Sequence, residues 1–143
     1  MSEEVVFGTH RLVFEDPDLV FVDLRGDIGD ELGPMIRVAV EWTLSKPYVL
    51  VLVPLGRVGH MSGAGWKLVR APDPRMPPRA VATYGGGFAT RVALDMAMRA
   101  TALLGNHKRL LFHGKDEGEA RTWLVSAREK LARITTKERR SSF

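Results

Sequence analysis

The stretch YVLVLVPLGRVGHMSGAGWKLV, residues 48–69, decides how this chain folds. Its first part, residues 48–53, is short, uncharged and rich in β-branched residues, which predicts a strand buried on both faces of a mainly parallel sheet. A glycine-rich turn follows. Ser62 then serves as the N-cap of a predicted helix over residues 62–70, because its hydroxyl accepts a hydrogen bond from an amide of the first turn. A hydroxyl is therefore expected at the carboxyl edge of a sheet, where α/β proteins place ligand and switch residues.

The composition is that of one folded domain. The chain has 143 residues, of which 45% are hydrophobic and 27% are charged, and these values argue against wholesale disorder. Its net charge of +4 is concentrated near the C-terminus. We therefore expect a single domain over residues 1–135 and a basic, disordered tail over residues 136–143. Because aromatic residues are not interleaved with those basic residues as base stacking requires, we do not expect the chain to bind nucleic acid.

Several classes of chemistry are excluded or not expected. The sequence contains no cysteine, which excludes disulfides, thiolate metal ligands and cysteine nucleophiles. The four histidines, at positions 10, 60, 107 and 113, have no metal-ligand spacing, so we expect surface histidines, no metal and no cofactor. The N-terminal residues lack the pattern of a secretory signal, and the longest apolar run is far shorter than the ~20 residues of a membrane span. The expected location is the cytoplasm.

Hydrophobic periodicity predicts about five strands and about four helices, in the order β, β, α, β, α, β, α, β, α. The first two strands form a hairpin about the sequence Asp-Pro-Asp. A hairpin followed by right-handed βα units gives an α/β fold, with a mixed sheet covered by helices. The predicted strands lie at residues 9–15, 19–25, 48–53, 79–83 and 108–112, and the predicted helices at residues 31–44, 62–70, 89–104 and 116–134.

The predicted helix over residues 89–104 has a broad apolar stripe. Val92 and Met96 belong to this stripe, and we expect them to face the core. Met98 lies at its edge. It is either part of a wide stripe or part of an apolar patch that contacts a partner or a second copy of the chain, as in a homodimer.

Three stretches carry a resemblance to a known domain. They are the strand, loop and Ser62-Gly63 segment, the strand and helix over residues 79–104, and the ending FHGKDEGEARTWL, residues 112–124. Their order and spacing resemble the STAS domain of anti-sigma-factor antagonists and sulfate transporters, and most closely its SpoIIAA-like branch of small bacterial proteins. The resemblance implies a STAS-like sheet and a non-enzymatic regulatory function. The implied partner is another protein: an anti-sigma-factor or kinase-like protein, or a larger regulatory assembly.

The same resemblance singles out Ser62. In the antagonists, the corresponding loop has an Asp-Ser-Ser-Gly motif whose second serine is phosphorylated by an anti-sigma-factor kinase. That serine corresponds to Ser62 and the following glycine to Gly63, whereas His60 and Met61 replace the first two residues of the motif. Ser62, Gly63 and His60 are therefore the candidate phosphorylation or docking site. A phosphate would add roughly −1.5 to −2 charges at a helix N-terminus and change a docking surface.

Ser62 also has two alternative interpretations. In the first, Ser62 is only a helix N-cap, which contributes ~1 kcal/mol to stability. In the second, Ser62 is a nucleophile beside His60. The nucleophile elbow of hydrolases has a glycine two residues to either side of the serine, but His60 and Ala64 occupy those positions here.

A second candidate site is the turn formed by Gly85, Gly86 and Gly87. It follows a strand and precedes a helix, so its amides can face a phosphate or a carboxylate, although a plain tight turn is the alternative. Its spacing matches neither the dinucleotide fingerprint nor the P-loop. With His113 and Ser62, it is expected near the carboxyl ends of the strands. The alternative function is therefore a carrier or sensor that binds a nucleotide, a lipid or another anionic small molecule there.

Overall fold

The structure is a computed structural model that describes residues 2–63, 75–87, 92, 96 and 109–141. Eight strands and two helices have described bounds: β1 Ser2–Phe7, β2 His10–Glu15, β3 Leu19–Asp23, β4 Gly26–Ile28, α1 Leu32–Thr43, β5 Val49–Pro54, β6 Val58–Met61, β7 Arg79–Tyr84, β8 Arg109–Gly114 and α2 Glu117–Ser141.

The main element is a six-stranded mixed sheet in the order β1-β2-β3-β5-β7-β8. Strands β1, β2 and β3 pair in antiparallel fashion, whereas β3, β5, β7 and β8 are parallel. The predicted mixed α/β sheet, with an N-terminal hairpin followed by parallel strands, is thereby confirmed. The five predicted strands correspond to β2, β3, β5, β7 and β8. The sixth strand, β1, was not predicted because Val5, Val6 and Phe7 are its only apolar residues and follow two glutamates.

A second sheet contains β4 and β6, which are parallel. The sequence predicted a glycine-rich turn that leads from β5 directly to a helix, and this prediction is wrong because Val58–Met61 forms a strand. Val58 packs against the apolar cluster that contains Ile28, which holds the segment in place. The two strands approach closely at Gly59, where a Cβ atom would lie only 2.9 Å from the carbonyl carbon of Gly26.

Strand β5 is buried on both faces, as predicted. Leu50 and Leu52 pack against α2 in one apolar cluster, which also contains Leu124. Val49 belongs to the opposite cluster, which contains Met35 of α1. Each of these three β5 residues is at most 1% exposed. The sheet is therefore covered by α1 on one face and by α2 on the other.

The helices agree with the sequence in part. Two predicted helices, over residues 31–44 and 116–134, correspond to α1 and α2. Helix α2 spans Glu117–Ser141, so it continues past the predicted end at residue 134 and includes residues 136–141. Their sequence explains this difference, because it holds lysine, glutamate and arginine, which favour helices, and no glycine or proline.

The other two predicted helices, over residues 62–70 and 89–104, fall mostly outside the described residues, as does Met98. Val92 and Met96 are described, and both are helical. They are 42% and 67% exposed, so the prediction that they face the core is wrong. The side chains of these two residues are turned toward solvent.

No helix among the described parts of the chain is long and apolar enough to cross a membrane.

The packing of α2 predicts a large effect at Leu124 and a small one at the adjacent Val125. Leu124 is 1% exposed and Val125 is 60% exposed. We expect Leu124→Ala to lower the free energy of unfolding by ~2–5 kcal/mol, because it leaves a cavity between α2 and the sheet. Val125→Ala should change it by about 0.5 kcal/mol or less. Urea denaturation measures both values, and equal losses would contradict the placement of α2.

Candidate functional site

A cleft of about 320 Å³ opens at the carboxyl ends of β3, β5 and β7. In open α/β sheets, ligands bind outside this edge. The turns that follow β3 and β5 contribute Arg25, Gly56 and Arg57 to its wall. The cleft is lined by Arg11, Phe21, Asp23, Leu24, Arg25, Pro54, Gly56, Arg57, Tyr84 and Gly85.

Strand register brings the lining side chains together. Arg11 of β2 pairs with Asp23 of β3, and Pro54 of β5 pairs with Tyr84 of β7. Extending the β3–β5 register by two residues places Asp23 beside Pro54. Side chains alternate along a strand, so Phe21 and Asp23 lie on the same face, the one that α2 covers. The cleft is thus a row of side chains across four neighbouring strands.

Asp23 is the electrostatic centre of the cleft. Its Oδ2 atom accepts hydrogen bonds from Arg11 Nε at 2.7 Å and from Arg25 Nε at 3.1 Å. Arg11 also lies 3.5 Å from a carboxylate oxygen of Glu4. Burial alone would raise the pKa of Asp23, but the hydrogen bonds from the two arginines outweigh it and hold this pKa below its ordinary value. Asp23 is therefore ionised at neutral pH and fixes both guanidinium groups.

Arg57 enters the cleft from the turn after β5. The Leu55 amide donates to the Tyr84 carbonyl at 2.8 Å, and the Gly26 amide donates to the Arg57 carbonyl at 2.8 Å. These bonds fix the backbone of the turn against both neighbouring segments. The side chain of Arg57 is exposed, and among the described residues no carboxylate lies within ion-pair distance of its guanidinium. Arg57 therefore offers the cleft a positive charge that is not neutralised by a described side chain.

Tyr84 connects the cleft to α2. Its hydroxyl donates to Glu117 Oε1 at 2.9 Å, in the first turn of that helix. Burial, followed by the hydrogen bond and the charge of Glu117, raises the pKa of Tyr84 to about 12. The hydroxyl is thus protonated at neutral pH and committed to the helix. Next to it, Gly85 has φ +75°, and a Cβ atom there would lie 3.5 Å from the Gly56 amide nitrogen.

A buried histidine supports the loop that carries Arg25. His10 is 1% exposed, so the expectation of a surface histidine is wrong at this position. Its Nδ1 atom accepts the Arg25 amide at 3.0 Å, which places the ring proton on Nε2. Nε2 then donates to Glu31 Oε1 at 2.8 Å and to the Asp27 carbonyl at 3.2 Å. The sequence carried a signal for the burial of His10. His10, Leu12 and Phe14 occupy alternate positions of β2 and share its buried face.

The Ser62 segment lies outside this cleft. Ser62 follows β6 directly and is partly exposed, and its amide donates to the Ile28 carbonyl at 3.1 Å. His60 is exposed, and its amide donates to Asp27 Oδ1 at 2.8 Å. Gly63 is exposed as well. The β4–β6 sheet therefore presents Ser62, Gly63 and His60 together, but none of the three lines the cleft.

The residues of the second candidate site, the Gly85–Gly87 turn and His113, do not all lie at the cleft. Gly85 lines the cleft, whereas Gly86 and Gly87 are exposed and do not line it. His113 lies beside Thr83, whose Oγ1 atom is 2.8 Å from its Nδ1 atom. Both side chains alternate with residues that pack on α2, so they point to the opposite face of the sheet. The pocket expected from the sequence, with Ser62, the glycine turn and His113 in one wall, is therefore not formed at this cleft.

Sequence reasoning missed the four charged residues of the cleft, Arg11, Asp23, Arg25 and Arg57. A usable signal existed for Asp23, because Leu19, Phe21 and Asp23 alternate on one side of β3 and the third is charged. A carboxylate at a buried strand position requires a cationic partner. The partner itself, Arg11, is set by strand register.

Comparisons of the chain with protein-family models, with curated proteins and with solved structures find no match. Among the described residues, no group of three or more histidine, aspartate or glutamate side chains is arranged to hold a metal ion. The chemistry that the described cleft offers is therefore that of arginine: charge-assisted hydrogen bonds to phosphate or carboxylate oxygens.

The lowered pKa of Asp23 predicts a pH-dependent contribution to stability. A carboxyl whose folded pKa is depressed stabilises the fold above its ordinary value, here 3.8, and loses this contribution as the pH falls further. We expect Asp23→Asn to cost about 2 kcal/mol at pH 7. The difference from the unsubstituted protein should shrink below about pH 4.

Urea denaturation between pH 3 and pH 7 measures this difference. Asp30→Asn, at an exposed aspartate outside the cleft, is the control for the loss of one negative charge. A cost of Asp23→Asn that stays constant with pH would contradict the role given to its charge.

Proposed function

We propose that this chain is a non-enzymatic binding module that takes a small anionic ligand in the cleft at the carboxyl ends of β3, β5 and β7. The observation that carries the proposal is the side chain of Arg57, which lines the cleft without a described carboxylate partner. Arg25 lies in the same wall, and the one carboxylate that it binds, Asp23, is shared with Arg11. An anion that bridges Arg25 and Arg57 would therefore gain two charge-assisted contacts.

The lining residues support binding rather than catalysis. Among the described residues that line the cleft, no serine, threonine, histidine or lysine is present, and the one carboxylate, Asp23, is held by hydrogen bonds from Arg11 and Arg25. The hydroxyl among these described residues is that of Tyr84, which its raised pKa keeps protonated at neutral pH and which already donates to Glu117. A ligand in this cleft would contact hydrogen-bond donors and apolar side chains. These groups bind a ligand without making or breaking its covalent bonds.

The STAS resemblance is consistent with this proposal. A mixed sheet that begins with a hairpin and continues with parallel strands is what the resemblance implies. We propose that the chain is a STAS-like regulatory module in which ligand occupancy of the cleft is the signal. Fold resemblance alone is an analogy, so the proposal depends on Arg57 and its neighbours.

Substitution of Arg57 tests the proposal. We expect inorganic phosphate to raise the melting temperature of the protein more than sodium chloride of equal ionic strength does. Arg57→Gln should weaken the apparent phosphate affinity about tenfold, because it removes a charge-assisted hydrogen bond. Thermal denaturation over a phosphate titration gives the affinity.

Arg37→Gln is the matched control, since Arg37 is an exposed arginine of α1 that does not line the cleft. The proposal is wrong if phosphate gives no more than the chloride effect, or if Arg37→Gln and Arg57→Gln weaken binding equally.

A second candidate function, docking of a regulatory protein, rests on the Ser62 segment. His60 and Gly63 are exposed and Ser62 is partly exposed, so a kinase or another partner can reach all three. The segment is continuous with the cleft, because Arg57 directly precedes β6 and Ser62 directly follows it. A phosphate on Ser62 would thus add negative charge to the strand that begins at the cleft.

For this second function, we expect a partner protein to bind Ser62→Ala and to lose affinity for Ser62→Asp, because the aspartate introduces the charge of a modified serine. Intact-mass analysis of the protein from its native cells should detect a singly phosphorylated form that Ser62→Ala lacks. Absence of that form under every growth condition would remove the phosphorylation switch.

A further inference from the structure

The cleft has an apolar side that anion binding alone does not use. Phe21, Pro54 and Tyr84 line it. We propose that its ligand is an anion attached to a flat apolar body, in the class of aryl phosphates and aryl carboxylates. This inference rests on the proposed function and adds the chemical class of the ligand.

The apolar residues form one continuous surface. Phe21, Pro54 and Tyr84 come from the neighbouring strands β3, β5 and β7, and Pro54 and Tyr84 are directly paired. Phe21 and Tyr84 pack on the apolar cluster beneath α2 and are only partly buried. Their accessible parts face the cleft rather than the core. A ligand ring that covers this surface would remove it from water, which favours binding.

Tyr84 contributes its ring and not its hydroxyl. Because the hydroxyl already donates its proton to Glu117 at 2.9 Å, it cannot donate to an anionic ligand without breaking that bond. The aromatic face is what remains for recognition, and aromatic rings favour offset stacking or edge contacts with other rings. Phe21 adds a second aromatic side chain on the same face of the sheet. Two aromatic residues therefore favour a flat, unsaturated partner.

Two glycines form the wall of the cleft beside this surface. Gly56 and Gly85 both line the cleft, and a Cβ atom on Gly85 would be 3.5 Å from the Gly56 amide nitrogen. Without side chains at either position, the wall between β5 and β7 is made of backbone. A flat group fits beside such a wall more closely than a bulky one does.

Charge sets the orientation of the ligand. Asp23 is ionised and one of its oxygens accepts from both Arg11 and Arg25, so its charge partly neutralises these two arginines. Arg57, in the turn after β5, has no described carboxylate partner, and its carbonyl accepts the Gly26 amide at 2.8 Å, next to Arg25 in the chain. The anionic group is therefore placed between Arg25 and Arg57, and the flat body extends toward Phe21. The cleft volume of about 320 Å³ is at the lower end of small-molecule pockets, and inorganic phosphate would fill only a small part of it.

The test compares three probes by titration: inorganic phosphate, phenyl phosphate and cyclohexyl phosphate. We expect phenyl phosphate to bind about tenfold more tightly than inorganic phosphate and about threefold more tightly than cyclohexyl phosphate. Phe21→Leu keeps an apolar side chain in the cluster but removes the ring. It should reduce the preference for phenyl over cyclohexyl phosphate and leave the affinity for inorganic phosphate unchanged.

Arg57→Gln is the matched variant, because it should weaken all three probes by the same factor and keep their ratios. Equal affinity for phenyl and inorganic phosphate would overturn this inference while the proposed function stands. A preference that Phe21→Leu leaves intact would also overturn it. If none of the three probes binds, the proposed function fails and the inference fails with it.

Discussion

The rest of the structure depends on the need to bury both faces of β5. Leu50 and Leu52 require a cover on one side and Val49 on the other, so one helix must pack on each face of the sheet. The interior position of β5, between β3 and β7, meets this requirement, and the strands from β3 onward are parallel. Parallel strands end at a common edge. The cleft is the consequence, because three of those strands stop there and are followed by turns.

Much of this arrangement could be predicted from the sequence, and the failures have physical causes. Five strands and two helices were found because each has an apolar pattern long enough to show its period. Strands β4 and β6 have only three and four residues, and their pairing depends on the close approach at Gly59, which has no local signature. The cleft was missed for a similar reason. Arg11 and Asp23 become partners through strand register, and a single arginine in a turn, such as Arg57, is indistinguishable from any exposed loop residue.

The sequence predicted Ser62 and the anion-binding residues together at one edge of the sheet, whereas in the structure Ser62 lies outside the cleft. The Ser62 segment follows β6 of the small β4–β6 sheet, whereas Arg25 and Arg57 lie in the turns that lead from the main sheet into β4 and β6. They are joined through the backbone, because the Gly26 amide binds the Arg57 carbonyl and the Ser62 amide binds the Ile28 carbonyl. His10 supports the same connection, because its Nδ1 atom accepts a hydrogen bond from the Arg25 amide. A ligand at the arginines and a partner at Ser62 would therefore act on one hydrogen-bonded unit.

The most direct test of the account is to map where an anion binds, by following backbone amide resonances in an NMR titration with phenyl phosphate. The account predicts saturable shift changes that centre on Gly56, Arg57 and Gly85 and include Arg25, with small changes at Ser62 and Gly63. Changes centred on Ser62 and Gly63, or changes that are spread over the surface and do not saturate, would contradict it.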